Sequence, residues 1–208
     1  GYRFSLTKRT RFYVHIPKTA GSSILEWCRH EGVPVIVIGH DDRNTGFKGA
    51  ADWLEQDDPD AFCVVRNPFD RLVSAYRYLS RGGNRESDKR DHERFIAPYT
   101  DFRTFVLEGL GGAAKHEILR QVHLRPQIQW VRSAQGVAVG HVLRYERLQD
   151  DFDRLFHGWG LGSGVLPEVN RAGSGASDYR QAYQLKDSTC LDMIKVVTSA
   201  YKEDFEFF

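Results

Sequence analysis

The chain has 208 residues, 41% hydrophobic and 27% charged, which suits one compact α/β domain over 1–208 and excludes a disordered or fibrous chain. Lys plus Arg (29) nearly equals Asp plus Glu (28), so no global basic field argues for nucleic acid or anionic membrane. Any bound anion must therefore be held by a local arrangement of loops and helix ends. Three cysteines, Cys28, Cys63 and Cys190, lie far apart without C-x-x-C or metal-ligand spacing, and read as small buried residues; no metal site is expected.

In chain order, Arg11–Ile16 reads as a buried strand stopped by Pro17, and the loop Lys18–Ser23 leads into a helix from Ile24 that ends before Gly32. Val35–Ile38 is a continuous apolar run expected as an interior parallel strand. A helix around Ala50–Gln56 and a third strand, Ala61–Val65, follow. Pro68 can open a helix, and Phe69, Leu72, Val73 and Tyr76 recur at helical spacing. Arg81–Arg94 is rich in Gly, Asn and charge and reads as an exposed loop. Helical patterns return at Asp101–Glu108, with Thr100 or Asp101 as cap, and at Ala113–Gln121. A late strand at His141–Tyr145 feeds a helix near Leu148–Phe156, and Gly158–Gly175 is irregular. Ser188–Tyr201 closes the chain as a helix with Leu191, Ile194 and Val197 on one side. Strand–helix alternation in the first half implies a parallel sheet flanked by helices, P-loop-like in plan, with a more helical C-terminal half.

The loop has the chemistry of an anion cradle. Gly21 lets backbone approach a ligand, first-turn N–H groups point outward with the helix dipole behind them, and Lys18 adds a point charge. Thr19, Ser22 and Ser23 add donors without negative charge, and Ala20 lies between them. A polar turn with Ser as helix cap is the simpler alternative for this segment alone. It is not a Walker A loop, since Lys18 precedes Gly21, and no strand ending in a Mg²⁺-binding Asp follows.

A second segment starts directly after the third strand, Arg66-Asn67-Pro68-Phe69-Asp70-Arg71-Leu72-Val73-Ser74-Ala75-Tyr76. Arg66 at a strand's carboxyl end is expected at the ligand edge of an open α/β sheet, and Ser74 lies two helical turns on. A guanidinium with a hydroxyl suits a terminal phosphate monoester.

His15–Ser23 resembles the 5′-phosphosulfate loop of sulfotransferases, and Arg66–Tyr76 resembles their 3′-phosphate motif in the carbohydrate (family 2) form. Weaker similarity runs through Leu124–Gln127, Leu166–Asn170 and Tyr201–Glu206. The resemblance implies 3′-phosphoadenosine 5′-phosphosulfate (PAPS) as donor. Lys18 would contact the bridging oxygen, Arg66 and Ser74 the 3′-phosphate, and Asn170, Arg171 and Ser174 a loop that closes over the nucleotide. Where many cytosolic sulfotransferases place an adenine-stacking Trp directly after the loop, this chain has Ile24.

In-line sulfuryl transfer needs a base for the acceptor hydroxyl and neutralisation of the leaving phosphate. His40, at the end of the second strand, is the candidate base, with Asp41 beside it. His15 is expected as a supporting residue and His123 as lining an acceptor cleft. The basic residues Arg77, Arg81, Arg85, Lys89 and Arg90 form either a solvated surface or an acceptor site. The expected activity is thus PAPS-dependent sulfation of a hydroxyl, with a carbohydrate favoured. A P-loop-type kinase and a non-catalytic nucleotide-binding module are the alternatives. The chain shows no secretory signal, no membrane-length apolar run and no N-x-S/T sequon, which favours a cytoplasmic, bacterial enzyme; a Golgi-lumen protein with an upstream anchor is the alternative.

Overall fold

The computed structural model describes residues 9–40, 54, 57–134, 136–162, 164–167, 178–184 and 187–208. In chain order its elements begin with β1 (Arg11–His15), α1 (Gly21–His30), β2 (Val35–Gly39), β3 (Asp58–Val65), α2 (Pro68–Ser80) and α3 (Glu86–Phe95). A short α4 (Phe102–Thr104) passes into a π-helical stretch, Phe105–Leu110, followed by α5 (Lys115–Ile118) and α6 (Ile128–Val131). A small antiparallel hairpin, β4 (Arg132–Ser133) and β5 (Gly136–Val137), precedes β6 (Val139–Arg144) and α7 (Leu148–Gly158). The chain closes with α8 (Thr189–Ala200) and α9 (Lys202–Phe207). It divides into two compact units, Gly1–Val65 with Trp130–Asn170, and Arg66–Gln129 with Arg171–Phe208.

The first unit is a four-stranded sheet of order β2-β1-β3-β6, and every neighbouring pair is parallel. Tyr13 and Val14 of β1 and Phe62, Cys63 and Val64 of β3 are wholly buried, as strands covered on both faces require. On one face, α1 supplies Ile24, Trp27 and Cys28, and α7 supplies Phe152 and Phe156, to one cluster with Tyr13 and Phe62. The Trp27 ring meets Phe152 and Phe156 edge-on at 4.8 and 5.0 Å, an aromatic arrangement that adds to area burial. Cys28 and Cys63 are buried thiols, and burial pushes Cys28 up to about 12 and Cys63 higher still. Cys190 is partly exposed.

Two expectations change in this unit. The run Val35–Ile38 is a parallel strand, but it lies at the sheet edge, where Ile36 is 49% exposed. An apolar run marks a strand without saying how many neighbours it has. The helix expected around 50–56 falls outside the described residues, apart from Leu54. From β1 the chain crosses to β2 on one side, whereas β3 pairs on the other. That order places a topological switch point at the carboxyl ends of β1 and β3, where open α/β sheets bind ligands.

The second unit is helical. Asn67 caps α2, its side chain accepting from the N–H groups of Phe69 (2.9 Å) and Asp70 (3.5 Å), with Pro68 at the first helical position. Leu72, Val73, Ala75 and Leu79 of α2 pack with Phe95, Phe105, Val106, Leu110, Leu124, Met193 and Val197. Asp101 caps the helical stretch that follows it, accepting from Thr104 N–H at 2.7 Å. The pattern at Ala113–Gln121 shortens to α5.

Arg81–Arg94 is not a loop, since Glu86–Phe95 forms α3. Its start is organised by Asp88, a 3% exposed carboxylate that accepts from the Tyr78 hydroxyl (2.6 Å) and from the N–H groups of Asn84 and Arg85 (3.1 Å each). Polar composition hid this helix because its stabilising group is itself polar. The buried stripe of α8 also differs from expectation: Met193, Val197 and Ala200 face inward, while Leu191 and Ile194 are 61% and 38% exposed. Among the described residues no helix is long and apolar enough to cross a membrane.

Burial pushes the Asp88 carboxyl up, but the bonds from Tyr78, Asn84 and Arg85 outweigh it and hold the group below its ordinary value. Asp88→Ala should therefore lose about 2 kcal/mol of unfolding free energy at neutral pH, measured by urea titration. A depressed carboxyl contributes fully above its unfolded value and loses that contribution as pH falls through its folded value. The difference between wild type and variant should accordingly shrink below about pH 4.

Candidate functional site

The connection from β1 to α1 holds two non-glycine residues in the left-handed region, Lys18 (φ 67°) and Ala20 (φ 74°, ψ 25°). Such backbone is unfavourable by about 1 kcal/mol or more per residue and persists where surrounding structure imposes it. Anion-binding nests are built where left-handed residues alternate with residues of ordinary hand, and Lys18 and Ala20 flank Thr19, which is not left-handed. Thr19 between them is wholly buried, and its hydroxyl donates to the Ile16 carbonyl at 2.7 Å. Thr19 therefore clasps the loop to the end of β1, and its hydroxyl is engaged within the protein.

The first intrahelical bond of α1 runs from Ile24 N–H to the Ala20 carbonyl, so the N–H groups of Gly21, Ser22 and Ser23 precede the helical ladder. No acidic residue lies in the first turn of α1, which leaves the positive end of its dipole unopposed by its own side chains. Ser22 is exposed and Ser23 is buried, so Ser22 presents the accessible hydroxyl, and Lys18 is half-buried. Gly21 is required for a reason the sequence did not show: a Cβ there would stand 1.9 Å from His15 Nε2. Ile24 points into the sheet core and is 0% exposed, which removes it as cover for an adenine.

His15 ends β1 and is 7% exposed. Its ring stacks on Tyr13 (centroids 5.5 Å apart) and meets the His40 ring edge-on at 5.4 Å. The His40 N–H donates to the His15 carbonyl at 3.2 Å, and His40 is half-buried at the carboxyl end of β2. His40 thus stands one ring away from the first residue of α1. Asp41, Asn170, Arg171 and Ser174 lie outside the described residues.

In the second unit Arg66 directly follows Val65, the last residue of β3. Its Nε and Nη2 each donate to a carboxylate oxygen of Asp70 at 2.8 Å, a bidentate pair with both side chains largely buried. Ser74 lies one further turn along α2 from Asp70, on the same face and half-buried. The Arg66 backbone is held as firmly. Its N–H donates to Gln127 Oε1, and Gln127 Nε2 donates back to its carbonyl, both at 2.9 Å. Asp204, 2% exposed, accepts from the N–H groups of Gln127 and Ile128 at 2.9 Å each.

Buried Arg71 donates to the Arg125 carbonyl at 2.8 Å, and the Tyr201 hydroxyl donates to the Leu124 carbonyl at 2.7 Å. Desolvation by burial lowers Arg71, and burial raises Asp204 against the pull of its two backbone donors and of Arg71. The weakly similar segments Leu124–Gln127 and Tyr201–Glu206 are therefore the brace of Arg66. Asp70, Gln127 and Asp204 are the supporting residues that sequence reasoning passed over; the recurrence of those two segments in the resemblance was the available signal. His123 does not line a cleft: it is 3% exposed, with its ring 4.8 Å from Tyr78 and Nδ1 3.1 Å from Gln121 Nε2. Arg81, Arg85, Lys89 and Arg90 are exposed, Arg77 is half-buried, and Lys89 pairs with Glu86.

Removing Gln127 would strip two buried partners from the Arg66 peptide, so Gln127→Ala should lower unfolding free energy by about 2 kcal/mol in a urea titration. A model of the sulfotransferase family, in its family 2 form, matches residues 7–208. Comparison with curated proteins and with solved structures finds no match. The parallel sheet, the left-handed loop at its switch point and a family match over nearly the whole chain lead to one conclusion: the chain belongs to the sulfotransferase family, enzymes that move a sulfuryl group.

Proposed function

We propose that the protein transfers the sulfuryl group of PAPS to a hydroxyl, with a carbohydrate as the favoured acceptor class. The observation that carries the donor assignment is the pair of left-handed residues, Lys18 and Ala20, at the start of α1. Backbone strain at a helix N-terminus, with no first-turn acid, fits a multiply charged phosphate ester that several N–H groups can share. The residues present fit such a group: Lys18, Ala20, Gly21, Ser22 and the Ser23 N–H would hold the 5′ end. Thr19 contributes by clamping the loop, as its engaged hydroxyl implies. Arg66 and Ser74 would take the 3′-phosphate, and the Asp70 and Gln127 bonds fit a guanidinium placed before ligand arrives.

The donor supplies an activated sulfuryl group whose leaving phosphate gains negative charge during transfer. Lys18 Nζ and the α1 N–H groups neutralise that charge, the N–H groups from a backbone held by the Thr19–Ile16 bond. His40 accepts the proton of the attacking hydroxyl at its imidazole. The closeness of His40 to His15, and of His15 to Gly21, supports transfer over a non-catalytic binding module. The exposed basic residues Arg81, Arg85, Lys89 and Arg90 suit an acidic sugar chain.

Calorimetry should show adenosine 3′,5′-bisphosphate binding tightly without Mg²⁺ and ATP binding weakly; stronger binding of Mg²⁺–ATP would sink the donor assignment. In Arg66→Ala the preference for the 3′-phosphorylated nucleotide over its dephosphorylated form should fall about ten- to a hundredfold, and an unchanged preference removes Arg66 from the site. His40→Ala should reduce turnover about 10²-fold or more while nucleotide affinity holds, and full activity would rule it out as the base.

A further inference from the structure

Two histidines meet at the end of the sheet, and the chemistry proposed above uses one of them. The other, His15, is buried at 7% exposure at the end of β1 and has no part in the proposed nucleotide contacts or proton transfer. Its ring meets three neighbours at once. One edge lies where a side chain on Gly21 would have to go, with Nε2, Cδ2 and Cε1 standing 1.9, 2.4 and 2.6 Å from a Cβ built there. One face stacks on Tyr13, which is wholly buried in the sheet core, at an interplanar angle of 20°. The His40 ring meets it at 71° and 5.4 Å.

The backbone around this contact is equally specific. Gly39 adopts φ +102°, and a Cβ there would lie 3.0 Å from the His15 carbonyl and 3.2 Å from the Trp130 ring. Glycine is thus needed for the turn that carries β2 into His40, and the His40 N–H then bonds to that same carbonyl. Glycines at 21 and 39 therefore make room for one residue, His15, from two directions.

We propose that His15 is the positioning residue for His40: its ring, backed by Tyr13 and seated on Gly21, holds the His40 imidazole at the phosphate-loop end of the sheet. The inference rests on the assignment of His40 as base. Because Lys18, Ala20 and the Thr19–Ile16 bond shape the nucleotide loop independently, loss of the His15 ring should act on transfer and not on nucleotide binding.

Turnover can be read as transfer to water, so no acceptor need be known. Water attacks sulfur, the sulfur–oxygen bond to the 5′-phosphate breaks, and the proton of water leaves through His40; the products are sulfate and adenosine 3′,5′-bisphosphate. His15→Ala should lower kcat for this hydrolysis about ten- to a hundredfold, the scale of a misplaced catalytic group. Its Kd for adenosine 3′,5′-bisphosphate should stay within about threefold of wild type by calorimetry. In the His15→Ala/His40→Ala double variant, kcat should match His40→Ala alone within about threefold.

An equal loss in both backgrounds would overturn the proposal, because His15 would then act independently of His40. A fall in nucleotide affinity as large as the fall in kcat would overturn it too, since His15 would be only a prop for the loop. Should His15→Ala melt below assay temperature, His15→Gln takes its place with the same two readouts. Failure of the wild-type chain to bind the bisphosphate is a separate outcome that removes the donor assignment, and wild-type hydrolysis by His40→Ala removes the base; the positioning role falls with either.

Discussion

A left-handed backbone at two non-glycine residues is the constraint on which the candidate site depends. Lys18 and Ala20 would relax to ordinary conformations if the chain between β1 and α1 were free. They are held because Thr19 is buried and bonded to Ile16, because Ile24 and Trp27 anchor α1 in the sheet core, and because β1 is an interior strand with β2 on one side and β3 on the other. The strain is supported by core packing, and a loop so fixed would present its N–H groups without reorganisation to the donor proposed above.

The second unit solves a related problem by different means. Arg66 leaves the end of a strand, where backbone N–H and carbonyl groups have no helix or ladder to satisfy them. Gln127 satisfies both, Asp204 holds Gln127, and Arg71 and Tyr201 tie the carbonyls of Arg125 and Leu124. The carboxylate of Asp70 then sets the guanidinium plane. A buried network of this kind is stable only when every member is satisfied, so residues near positions 70, 127 and 204 act as one group.

Much of the architecture was legible from local pattern. Apolar runs marked β1, β3 and β6, and Pro17, Pro68 and Gly32 marked boundaries, since proline and glycine act through their own backbone geometry. Local pattern failed where a tertiary partner supplied the stabilisation. Asp88 builds α3 from a polar, glycine-flanked segment by bonding Tyr78 ten residues upstream. The inward face of α8 is set by what it packs against, so Met193 is buried and Leu191 is not. The edge position of β2 follows from strand order, which no single strand encodes.

The same division runs through the site. By itself the sequence determined which residue types stand at the candidate site: a lysine before a glycine at a strand-to-helix loop, an arginine after a strand, a serine two turns on, and a histidine at a second strand's end. These are properties of residue type and spacing, which covalent order preserves. Only the tertiary structure decided that Gly21 is glycine because His15 lies against it, that Thr19 serves the loop, that Asp70 faces Arg66, and that Gln127 and Asp204 brace it. Those relations join residues up to 77 positions apart, and close packing creates them only once the chain is folded.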